Sequence, residues 1–136
     1  MTIPFDARDL PGYAAGVFDH LAGQPALMRM VLWKQLERPE HTDHERTVYG
    51  RIVDALVTTY DLAPGGSSAQ AAERAQDLLF AVLGLATAPF TLAPSAAQPA
   101  RSSERSVQQR QDLHRAVSTI AANLTLRAGA RATDEG

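Results

Sequence analysis

The chain has 136 residues, of which 45% are hydrophobic and 21% charged, and it contains no cysteine. This length suits one folded domain with its own core, and the lack of cysteine excludes disulfides, thiolate metal sites and cysteine nucleophiles. Thirteen basic and fifteen acidic residues are interspersed and give a net charge of −2, so the broad positive surface of a nucleic-acid-binding protein is not visible.

The N-terminal segment MTIPFDARDLPGY carries acidic residues and prolines where a secretory signal would have a basic start and a long apolar run. We therefore expect a cytoplasmic protein, with residues 1–8 as an N-terminal extension. The longest apolar stretch, residues 78–90, is too short to span a bilayer and contains Gly84 and Pro89. It predicts a buried helix and no membrane span.

The first helix is predicted from about Pro11 to Ala22, with Asp9 as its N-cap and Gly23 at its end. The second helix, residues 25–37 (PALMRMVLWKQLE), has apolar side chains on every side when it is turned by about 100° per residue. A helix of this kind is enclosed by neighbouring helices, by a partner chain or by a ligand. We therefore expect the fold to surround it.

The third helix is predicted from about Asp43 to Asp61, after the charged loop ERPEHTDHE. Residues 41–45 have the density of a metal site, but a His-x-x-His pair without a third, distant ligand is a weak signal. We interpret these side chains as solvated loop charges and expect no metal.

The fourth helix is predicted from Ser68 to about Thr87, because Ser67 and Gln70 match a capping box. Residues 88–101 are rich in Pro, Ala and Ser and predict a mobile loop. The fifth helix is predicted from about Ser103 to Arg127, ending near Gly129, with residues 129–136 as a disordered tail. Its seam spacing of three and four residues is typical of a helix that packs on another helix.

No alternation typical of strands appears, so the predicted fold class is all-α, with five main helices in a single domain over residues 9–128. We find no nucleophile elbow, P-loop, dinucleotide fingerprint or zincin helix. His20 and His114 lie beside apolar stripes, where ordinary packing explains them. The sequence therefore predicts no enzyme, no catalytic residue and no cofactor, and a small helical enzyme remains a third hypothesis that depends on these histidines.

The early helices are rich in aromatic residues and methionine, which form adaptable ligand cavities as well as ordinary cores. From the pattern alone, an ordinary core is the more frequent outcome. The second helix favours a cavity, because it has apolar side chains on every side and two neighbouring helices in so small a chain would not cover all of them.

The order of these elements resembles the C-terminal domain of TetR-family transcriptional regulators. The resemblance rests on DLPGYAAGVFDHLAGQPALMRMVLWKQLER and AQDLLFAVLGLATA and covers roughly residues 5–126. It implies a helical domain that binds a small effector and forms a homodimer, in which the last two long helices of each chain make a four-helix bundle. Members also carry an N-terminal helix-turn-helix, for which nothing before Asp9 suffices, so we expect that this chain alone does not bind DNA.

The resemblance places a pocket among the first three helices and the start of the fourth. The candidate ligand-binding residues are Phe18, Met30, Trp33, Tyr49 and Phe80. The candidate dimer-interface residues are Leu79, Leu83, Arg110, Leu113, Val117, Ile120 and Leu124.

Two functions follow as hypotheses. The first is the effector-binding and dimerisation domain of a TetR-like regulator, with an unknown small apolar or aromatic effector. The alternative is a scaffold that only dimerises and pairs with a full-length regulator.

Overall fold

A computed structural model describes residues 3–37, 42–91 and 103–134 of the chain. Within these ranges the chain forms only helices, which confirms the predicted all-α fold with five main helices. They are α1 (Leu10–Gly23), α2 (Pro25–Glu37), α3 (Asp43–Thr59), α4 (Ser68–Thr91) and α5 (Ser103–Asp134).

Local side chains fix the starts of α1 and α4 as the sequence predicts. The carboxylate of Asp9 accepts a hydrogen bond of 3.0 Å from the backbone N–H of Gly12, and Pro11 lies in the first turn of α1. At α4, the Ser67 hydroxyl accepts from the backbone N–H of Gln70 at 3.2 Å, and the Gln70 side chain accepts from that of Ser67 at 3.0 Å. This capping box follows a turn in which Gly65 takes a left-handed φ of 70°.

The start of α3 contains a second capping box that the sequence analysis missed. Thr42 accepts a hydrogen bond from the backbone N–H of Glu45, and the Glu45 carboxylate accepts one of 2.7 Å from the backbone N–H of Thr42. The predicted start of this helix at Asp43 is confirmed, so Asp43, His44 and Glu45, which were also counted among the loop charges, form its first turn. His41, which belonged to the weak metal pattern, lies outside the described residues.

Helix α4 is longer than predicted, because it continues through Pro89 to Thr91 instead of ending at Thr87. A proline at position 89 removes the hydrogen bond to the carbonyl of residue 85, but α4 ends two residues later, so little helix follows the interruption. The last turn is also held from outside, since the rings of Phe90 and Phe18 pack with centroids 5.3 Å apart. Residues 88–91 of the predicted mobile loop are thus helical, and residues 92–101 lie outside the described residues.

Helix α5 is also longer than predicted and continues to Asp134, past Arg127 and Gly129. Residues 129–134 of the predicted tail are therefore helical. The sequence around Gly129 is rich in Ala and Arg, which favour helix, and one glycine costs only about 1 kcal/mol relative to alanine. The glycine alone therefore does not end the helix.

The core forms around α1, which packs against α2, α4 and α5, while α3 packs against α4. The largest fully buried side chains come from four of the five helices and are Leu10, Phe18, Leu56, Leu79, Val82 and Val117. At the α1–α5 contact, the carboxylate of Asp19 accepts a hydrogen bond of 3.0 Å from the guanidinium of Arg110. The N-terminal segment is attached by Tyr60, whose buried hydroxyl donates to the backbone carbonyl of Ala7 at 2.8 Å.

We expect Phe18→Ala to lower the free energy of unfolding by about 3–5 kcal/mol, because it leaves a cavity in the core and removes the contact with Phe90. Trp33→Ala is the matched control, since Trp33 is 66% exposed and its truncation should cost less than about 1 kcal/mol. Urea unfolding of both variants measures the difference. Similar losses for the two would contradict the position of Trp33 outside the core.

Candidate ligand-binding groove

A groove of about 850 Å³ runs between α3 and α4, with a floor formed by α1 and α2. One face of α3 lines the groove with Arg46, Tyr49, Gly50, Val53 and Asp54. α4 contributes Ala72, Glu73, Gln76, Leu79, Phe80, Leu83, Gly84 and Thr87. The floor consists of Val17, Leu21, Met28 and Val31.

The groove is long, apolar at its centre and open along one side. Along α4 it extends from Ala72 to Thr87, which at 1.5 Å per residue is about 22 Å. The side chain of Phe80 is 56% exposed and that of Tyr49 is 36% exposed, although both line the groove. Large apolar side chains around a concave space of this volume are typical of small-molecule sites.

Two glycines inside helices keep the groove wide. Gly50 of α3 and Gly84 of α4 both line it, and a Cβ atom added at either would meet no heavy atom within 4 Å. Neither glycine is therefore needed for close packing within the chain. Each costs roughly 0.5–1 kcal/mol of helix stability relative to alanine, so the space that they leave is maintained at a cost.

An ion pair between Lys34 and Glu45 joins the C-terminal half of α2 to the first turn of α3. The hydrogen bond from the Lys34 ammonium and the one from the Thr42 backbone N–H lower the pKa of the Glu45 carboxyl to about 2.

Burial raises the pKa of the Tyr13 phenol, and Tyr49 raises it further. Tyr13 therefore stays a neutral hydroxyl at physiological pH.

The structure brings two of the five predicted ligand-binding residues to the groove, namely Tyr49 and Phe80. Phe18 is 2% exposed and lies in the core against Phe90. Met30 and Trp33 are each 66% exposed on α2 and do not line the groove. Their roles stay predictions, without support from their positions.

The expectation that the fold encloses α2 is wrong. Met28 is buried and Leu27 packs on the core, but Val31, Leu32 and Leu36 are exposed, Leu36 to 84%. α2 packs on α1 and α4 and is joined to α3 by the Lys34–Glu45 ion pair, and these contacts leave the three side chains exposed.

Several of the predicted interface residues are used within the chain itself. Leu79, Leu113 and Val117 are buried in the core, and Leu83 lines the groove. Arg110 pairs with Asp19 of the same chain. Ile120 and Leu124 are half-buried, so these two predicted residues of α5 keep part of their apolar surface exposed.

The free apolar surface of α4 consists of other residues than those predicted. Ala81, Gly84 and Leu85 are exposed and follow one another at helical spacing, with Leu85 exposed to 40%. We call these three residues the outer stripe of α4. Ala81 and Gly84 add little bulk and so let a second helix approach closely, and Leu85 adds apolar surface.

Nothing in the sequence pointed directly to the groove residues Val31, Asp54, Glu73 and Gln76. Two sequence features could have indicated a groove. Tyr49, Gly50 and Val53 are spaced so that they share one face of α3, and glycines interrupt two segments that are otherwise typical of helices. Which face meets α4 depends on packing that periodicity does not specify.

The structure shows no candidate metal site in residues 3–37, 42–91 and 103–134. No group of three or more potential ligands lies close enough to hold a metal ion there. His20 is half-buried on α1 and His114 is exposed on α5, so the two histidines belong to different surroundings. The same ranges contain no helix with the length and hydropathy required to cross a membrane.

The five helices, the core around α1 and the groove beside α4 place the protein in the class of helical domains built around a groove. The family described as "Tetracyclin repressor-like, C-terminal domain" matches residues 9–119, which is most of the chain. The chain belongs to this family, as its sequence motifs imply. No curated protein and no solved structure matches the chain.

The carboxyl of Glu45 is expected to titrate near pH 2 in the folded protein. Because this pKa lies below its ordinary value of 4.5, the contribution of Glu45 to stability is fully present above pH 4.5 and is lost as the pH falls toward 2. The ¹³C chemical shift of the side-chain carboxyl, followed by NMR, measures the titration.

Lys34→Met should raise the Glu45 pKa more than Thr42→Ala does, because the Lys34 hydrogen bond is the largest cause of the shift. Thr42→Ala leaves the backbone N–H in place and serves as the control. An unchanged pKa in Lys34→Met would show that the ion pair between α2 and α3 does not form in solution.

Proposed function

We propose that this chain is the effector-binding and dimerisation domain of a TetR-like regulator, and that its groove binds a small apolar or aromatic molecule. The observation that carries the proposal is the 850 Å³ groove, which the chain leaves open between α3 and α4 with two unneeded glycines in its walls. Membership of the family supports it, since domains of this family typically bind effectors and dimerise.

Regulation then requires that the effector bind one arrangement of the helices better than another. The groove is lined by four helices, so a ligand in it contacts α2 and α3 at the same time as α4. α4 also carries the outer stripe. A change in the position of α4 would therefore alter both the site and the surface proposed for the partner chain.

This part of the regulator contacts the effector and the partner, and not DNA. Its net charge is −2, and its basic residues are interspersed with acidic ones. A surface that neutralises several phosphates needs clustered lysine and arginine side chains. The family is regulatory, and we propose no enzymatic activity for the chain.

The alternative is a scaffold that only dimerises. The observation that favours it is the outer stripe of α4, of which Ala81 and Leu85 lie outside the groove lining and stay exposed when the groove is filled. A thermal-shift screen with apolar and aromatic compounds separates the two functions, because a ligand at about 100 times its Kd stabilises the folded state by about 2.7 kcal/mol. A chain that is dimeric and is stabilised by no compound would be the scaffold.

We expect Gly50→Leu to abolish the binding of any compound found in that screen while keeping or raising the melting temperature. The leucine side chain would occupy open space in the groove, and it favours helix by roughly 0.5–1 kcal/mol over glycine. Arg51→Leu adds the same side chain at the next, exposed position, which does not line the groove, and should bind the compound normally. Unchanged binding by Gly50→Leu would move the site elsewhere.

The purified chain should behave as a dimer that buries at least about 1,200 Å², and Ala81→Glu should convert it to a monomer. The reason is that a glutamate in the outer stripe would bring a charge into a contact between two helices. Ala26→Glu makes the same change at an exposed position of α2 and should stay dimeric. Analytical ultracentrifugation gives the masses, and a wild-type monomer at all concentrations would refute the dimer.

A further inference from the structure

We propose that the groove selects organic cations, with an apolar body along its centre and an ammonium group at the end where Asp54 and Glu73 lie. This inference rests on the proposed function of the groove as an effector site. It adds the chemical class of the effector, which neither the family nor the apolar lining specifies.

The two carboxylates belong to the same end of the groove. α3 and α4 are consecutive helices that pack on each other across the short connection between Thr59 and Ser68, and both residues line the groove. Asp54 comes five residues before the end of α3, and Glu73 comes five residues after the start of α4. When two consecutive helices pack on each other as a hairpin, the parts of both that are nearest the turn lie at the same end of the pair.

Among the described residues, no basic side chain pairs with either carboxylate. In the part of the protein that the structure describes, no ion pair involves Asp54 or Glu73. Their neighbour in the lining is Gln76, whose amide is neutral and can accept a hydrogen bond from an ammonium group. Two unpaired carboxylates beside an apolar surface attract a cation and repel an anion.

The opposite end of the groove does not balance this charge. Arg46 lies eight residues before Asp54, which is about 12 Å along α3. Its guanidinium already pairs with the Asp43 carboxylate at 3.5 Å. The charge that remains in the lining is therefore negative and is concentrated near the turn.

The centre of the groove suits the rest of such a molecule. Phe80 comes seven residues after Glu73 on α4, and Tyr49 comes five residues before Asp54 on α3. Aromatic rings at these positions can contact an apolar body and also attract a nearby cation through their faces. The length of about 22 Å along α4 accommodates an extended molecule rather than a compact one.

The test uses three compounds that share one body and differ in the head group: 6-phenylhexylamine, 6-phenylhexanol and 6-phenylhexanoate. We expect the amine to bind about five- to tenfold more tightly than the alcohol, and the carboxylate to bind most weakly, because the carboxylates are only partly shielded from water. Titration calorimetry at neutral pH gives the affinities. NMR shifts of the Gly50 and Gly84 amides report whether each compound enters the groove.

The double variant D54N/E73Q should remove the preference for the amine without weakening the binding of the alcohol. The matched control is D77N/E104Q, which removes the same two charges from exposed positions that do not line the groove. It should keep the preference. Retention of the preference in D54N/E73Q would overturn the assignment of these two carboxylates.

The remaining outcomes separate this inference from the proposed function. Equal binding of all three compounds, or tightest binding of the carboxylate, would overturn the cation preference and leave the groove as an effector site. Failure of all three to shift the Gly50 and Gly84 amides would count against the groove itself and hence against both.

Discussion

The burial of one face of α1 is the interaction on which the rest of the structure depends. Leu10, Ala14 and Phe18 follow each other at steps of four residues and are at most 2% exposed. α4 and α5 both pack on this helix, and α3 reaches the core through α4. Burial of apolar side chains is the main favourable term in folding, so α1 decides where the long helices lie.

The position of α4 against α1 also determines what the groove is. Leu79 and Val82 face the core, so the neighbouring Phe80 and Leu83 must point to the side where α3 lies. Glycine at positions 50 and 84 leaves this side unfilled. The result is an apolar surface that is open to water, and its burial by another molecule would be favourable.

Much of the local structure could be predicted because its causes are local. Asp9 and the Ser67–Gln70 box act within one turn, and their hydrogen bonds form as the spacing predicts. Predictions failed where distant contacts decide. Pro89 was interpreted as a helix end, but the ring of Phe18, 72 positions earlier in the chain than Phe90, holds the last turn of α4 in place. Glu45 lies in the helix predicted from Asp43, but its ion pair with Lys34 of α2 depends on how the two helices are arranged and was not predicted.

The candidate site was less predictable than the fold. Periodicity shows that Leu79 and Phe80 are both apolar helix residues, but it does not tell which one meets α1, and their predicted roles in the interface and the pocket depended on that. The same holds for α2: the sequence shows that apolar residues lie all round this helix, but it does not show which helices pack on it.

By itself the sequence determined the all-α class, the number and order of the helices, most of their starts, and the family. These properties come from caps, turn residues and apolar periods, which act over a few residues. Only the tertiary structure decided which apolar faces are buried, how far α4 and α5 continue, and where a groove with two carboxylates at one end lies. The physical reason is that burial depends on residues far apart in the chain, and the periodicity of one helix does not specify which other helices pack on it.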